Sequence, residues 1–95
     1  MSEMYIPAKG EFISLGGIFF GVCENVFRSE DGEIVVMCNL VKNAFQRGAS
    51  ELHHLTPELD MRPATIAELK REIIMRKATL VMRLEEMYRL ANEEN

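Results

Sequence analysis

Cys23, Cys38, His53 and His54 are the only thiol and imidazole groups in the chain. Zinc sites space their ligands as C-x2-4-C or H-x3-5-H. Here the cysteines lie 15 residues apart and the histidines are adjacent. Neighbours on a strand point to opposite faces, so at most one imidazole can join a shared site. No metal or cofactor is expected. Nucleophilic chemistry needs a thiolate beside an imidazole that an acid orients. Glu24 and Glu51 are acids near these groups in the sequence, but no spacing demands such a triad. The plainer reading is two buried free thiols on a strand pair, one packed histidine and one at an edge. A Cys23–Cys38 disulfide is the lesser alternative. Glu24 and Asn39 interrupt apolar strands, which marks an edge, a barrel mouth or a polar spot in a groove. Gly16, Gly17 and Gly21 make no phosphate loop, because no Lys-Ser/Thr and no helix follow them.

These groups must be positioned by a β-rich stretch over residues 11–56. EFISL alternates polar and apolar, as a strand with one buried face does. Gly16-Gly17 breaks it with a turn or bulge. IFFGVCENVFR and EIVVMCNLVKNAF then form a hairpin across SEDG. Two registers are open. If residues 29–32 are all loop, Arg28 faces Glu33, Phe27 faces Ile34, Val26 faces Val35 and Cys23 faces Cys38. A three-residue loop ending at Gly32 moves every pair by one and separates the cysteines. Strict alternation sets Phe20, Val22 and Val26 on one face and Phe19, Cys23 and Phe27 on the other. A sheet apolar on both faces needs two covers, or curls on itself. QRGAS reads as a turn and ELHHL as a short last strand. The expected fold is α+β: a small, strongly bent antiparallel sheet, an SH3-like partial barrel, followed by one long C-terminal helix.

Thr56-Pro57-Glu58 starts a single helical turn. Arg62-Pro63 ends it, since a residue before proline leaves the helical region. Thr65 and Glu68 make a capping box. Neither glycine nor proline follows, so one helix is expected over residues 65–91, frayed at NEEN. One apolar stripe takes Ile66, Leu69, Ile73, Ile74, Leu80, Val81, Leu84, Met87, Tyr88 and Ala91, an arc of roughly 140°. Lys77 sits inside it. A helix of ~27 residues is about 40 Å long. The body before it has a diameter of roughly 27 Å by size scaling. The helix therefore outruns its own domain by about two turns, and those turns are apolar. It either folds over its own sheet with a frayed end, or is covered by another chain. The second reading makes Ile73, Ile74, Lys77, Leu80, Val81, Leu84, Met87, Tyr88 and Ala91 an interface, with a second copy as the first choice of partner.

Composition agrees with one small domain spanning 1–95. Apolar residues make up 47% and charged residues 27%, ordinary for a globular chain. Residues 1–62 carry 5 basic and 9 acidic side chains, a net of −4, and residues 63–95 carry 6 of each. No basic face stands out, which disfavours nucleic acid as a partner. No apolar run approaches the ~20 residues of a membrane span. The first residues lack the pattern of a signal peptide. The expectation is a cytoplasmic, non-enzymatic interaction module, with an unknown protein partner, that self-associates through its helix. The alternative is a nucleic-acid-associated small β-barrel, and a small Cys/His enzyme ranks third.

Overall fold

The computed structural model describes residues 4–44 and 50–93. Five antiparallel strands precede one helix. They are β1 (Phe12–Leu15), β2 (Phe19–Arg28), β3 (Ile34–Leu40), β4 (Glu51–His54) and β5 (Met61–Pro63). The helix, α1, spans Ile66–Glu93. The sheet order is β4-β3-β2-β1-β5, with β4 and β5 as edges, so the sheet does not close. The fold is thus α+β.

Gly16 and Gly17 both take positive φ in a tight turn closed by the Ile18 N–H on the Leu15 carbonyl at 3.1 Å, and return the chain from β1 into β2. β2 and β3 combine the two hairpin registers instead of choosing one. At the tip, the Ser29 N–H donates to the Glu33 carbonyl at 2.8 Å, so the loop is three residues long. Arg28 faces Ile34, Phe27 faces Val35 and Val26 faces Val36, as the shorter loop requires. A β-bulge at Glu24 then shifts the ladder by one residue and restores Cys23 opposite Cys38. The bulge also exchanges faces. Phe19, Cys23 and Val26 join the core, while Phe20, Val22 and Phe27 lie on the other side, which corrects the strict alternation for Val26 and Phe27.

Ile13, Leu15, Cys23, Val36, Cys38, Leu40, Leu55 and Met61 form the core on one face of the sheet. Tyr5 and Leu59 pack against it from outside the strands. The return strand stops at Leu40, and Val41–Asn43 is a 3-10 turn instead of further strand. Most of the QRGAS turn lies outside the described residues. Pro57–Leu59 is the expected single turn. It ends at Asp60, and the chain goes on as edge strand β5 beside β1, which the sequence reading did not contain. Pro63 closes that strand, where a missing N–H costs the sheet nothing.

The capping box forms as read. The Glu68 N–H donates to Thr65 Oγ1 at 3.1 Å, and Glu68 Oε1 accepts from the Thr65 N–H at 2.9 Å. From there 28 residues run as a single helix, about 42 Å long. No residue of α1 is buried. Its main contacts are with β2 and the Val41–Asn43 turn. The molecule measures 61 × 30 × 22 Å, so the helix projects well past the sheet. No described helix is long and apolar enough to cross a membrane.

Candidate functional site

The thiols come first, because they are the most reactive groups. Cys23 donates its N–H to the Glu11 carbonyl, and its own carbonyl accepts from Gly10. Both main-chain groups face away from β3, so Cys23 and Cys38 form a non-hydrogen-bonded cross-strand pair, the closer of the two antiparallel spacings. Both thiols are free and fully buried. Burial pushes the Cys38 thiol up to about 11 and raises that of Cys23 as well. That is the reverse of an activated nucleophile, which needs a depressed thiol pKa and partial exposure. A thiol reagent at mildly alkaline pH is therefore expected to leave the folded chain unmodified and to label both cysteines after denaturation. Rapid labelling of the folded chain would contradict the burial.

The histidines separate as adjacent strand residues must. His53 turns toward Glu51, with Nε2 at 2.9 Å from Oε1, and the same carboxylate holds Lys42 at 3.3 Å and the Asn43 amide. Partial burial opposes ionisation of Glu51, but hydrogen bonds from His53, Asn43 and Lys42 outweigh it and lower its pKa. Lys42 also lies over the Phe19 ring, 4.3 Å from its centre. This cluster ties β4 to the Val41–Asn43 turn. His54 points the other way, to Glu33 at 2.6 Å. Glu24, on the bulge, accepts from the Ser50 hydroxyl. No group of three or more metal-capable side chains exists among the described residues.

The feature left is the surface of α1. Ile73, Ile74, Lys77, Leu80, Val81, Leu84, Met87, Tyr88 and Ala91 all lie exposed along it. Leu84 is 55% exposed, Met87 64% and Tyr88 72%. Leu80, nearer the body, is 37% exposed. On the opposite side Arg89 spans Glu86 and Glu93, and at the side turned to the body Glu72 holds Arg76 at 2.6 Å, so helical ion pairs lace the polar positions. Between α1 and the body lies a cleft of about 700 Å³. Val22, Val41, Leu69, Ile73 and Leu80 give it apolar walls, and Lys42, Arg76, Lys77 and Arg83 line it together with one carboxylate, Glu72, which pairs with Arg76. Of the sheet residues of this cleft, the sequence singled out Asn39, as an edge, a barrel mouth or a polar spot in a groove, and it lines the cleft; Glu24, read with it, does not. The outward face of β2, apolar at Phe20 and Val22, was the signal for the rest.

The site therefore belongs to an open-sheet α+β protein whose terminal helix stands away from its body with an apolar face exposed. Compared with protein-family models, curated proteins and solved structures, the chain matches none.

Proposed function

We propose that this chain is a small, cytoplasmic, non-enzymatic protein-interaction module, an adaptor, regulator or inhibitor, that self-associates through its C-terminal amphipathic helix. The observation that carries this reading is the exposed run from Ile73 to Tyr88. Soluble monomers rarely expose a contiguous apolar patch larger than a few hundred Å². Uncovered apolar area costs roughly 25 cal/mol per Å², and the chain's own sheet covers none of the distal turns. The strand order and the 3-10 turn before the last strand support an SH3-like partial barrel as the body that carries the helix. The raised pKa of the buried thiols argues against a Cys/His reaction centre. Light scattering on the intact chain is expected to give twice the 10.9 kDa chain mass or more. A monomer that persists at high concentration would overturn the reading.

A further inference from the structure

We propose that two copies pair their helices antiparallel, crossing between Ala78 and Thr79, so that the distal half of each helix completes the cleft of the other. The pairing rests on the self-association proposed above and adds to it an orientation, a register and a role for the cleft.

Charge selects the orientation. Residues 66–79 carry Lys70, Arg71, Arg76 and Lys77 against Glu68 and Glu72, a net of +2. Residues 80–93 carry Arg83 and Arg89 against Glu85, Glu86 and Glu93, a net of −1. Antiparallel pairing sets the positive half on the negative half and opposes the two helix dipoles. Parallel pairing stacks like on like in both halves.

Spacing selects the register. Positions 66, 70, 73, 77, 80, 84, 87 and 91 alternate steps of four and three, the seam of a two-helix coil. With the crossing between Ala78 and Thr79, each seam residue meets one from the second copy in a constant register. Ile73 faces Leu84, Lys77 faces Leu80, Lys70 faces Met87 and Ile66 faces Ala91. The lysine stems cover apolar surface while their ammonium groups reach water at the rim. In this register Leu84 and Met87 of the second copy lie beside Ile73 and Leu69, on the open side of the cleft. The cleft is incomplete in one chain and closed in two.

Distances between spin labels test this. Cys23 and Cys38 are fully buried, so a water-soluble label reaches only an engineered thiol. Thr79→Cys and Arg89→Cys, both off the seam, are labelled in separate samples. Antiparallel pairing puts the labels at residue 89 roughly 30–35 Å apart and those at residue 79 roughly 10–20 Å apart. Short distances at both positions would show parallel helices and overturn the orientation while leaving self-association intact. A long distance at residue 79 would overturn the register. Absence of any intermolecular distance, with a monomeric mass, would overturn the pairing and the self-association together.

Discussion

Replacing Leu84 with lysine is expected to convert the assembly into 10.9 kDa monomers without unfolding the sheet. Leu84 lies at the centre of the apolar stripe, in the part of α1 beyond the body, and is 55% exposed in the single chain. Its removal therefore takes nothing from the core. In a two-fold pair it is buried twice. Burying one leucine side chain contributes about 1.5–3 kcal/mol, so the substitution removes about 3–6 kcal/mol from the dimer, which weakens association by roughly 10²- to 10⁴-fold. The charge brought to the seam adds to that loss. Leucine and lysine have nearly equal helix propensity, so the backbone itself does not resist the change. The monomer is still expected to lose helix signal in circular dichroism. An isolated helix is marginal in water when nothing packs on it, and the distal turns would have no cover left. Sedimentation across a concentration series checks the mass, and the thermal midpoint of the sheet checks the fold. An unchanged mass would move the interface elsewhere and remove the helix from it.

Much of this architecture was legible because it follows from local rules. The capping box at Thr65 and Glu68 and the absence of later glycine or proline specify a long helix from one end to the other. The length of that helix against the size of the body implied an unburied tip. The hairpin was visible too, but its register was not, for a physical reason. Turn chemistry at SEDG is compatible with loops of three or four residues, and the apolar residues of both strands fit either pairing. The bulge at Glu24 lets the tip obey one register and the cysteines the other. A polar residue inside an apolar strand was the trace of that bulge, yet it reads equally as an edge position. Strand β5 was missed because Arg62-Pro63 says only that a helix stops. Pairing with β1 is a tertiary event, and three residues carry too little pattern to announce it. The cleft was missed for the same reason, since its walls come from three parts of the chain that only the folded sheet brings together.

Gly21→Ala is expected to be the most damaging single methyl group that can be added to the sheet. Gly21 lies on β2 opposite Leu40 of β3 and Ile13 of β1. Its φ is not positive, so backbone freedom is not what holds glycine there. Space is. A Cβ built on Gly21 would stand 2.2 Å from the Asn39 carbonyl oxygen and 2.7 Å from Leu40 Cα. Neither is the end of a side chain that can swing away. Both are main-chain atoms of the paired strand, and Leu40 is fixed in the core at 1% exposure. Glycine inside a strand marks this kind of close backbone approach. To fit the methyl, β3 must move away from β2 across the ladder that also aligns Cys23 with Cys38. Overpacking a core by one methyl group typically costs about 1–3 kcal/mol, and a main-chain clash belongs at the upper end. For a domain of this size each kcal/mol lowers the melting temperature by about 4–8 °C, so a drop on the order of 10–20 °C is expected by calorimetry. The movement would also widen the cleft at Val22, the next residue on β2, so the variant should associate less tightly than its fold loss alone explains. A melting temperature within a degree or two of the parent would mean that β2 and β3 do not pinch together at this point.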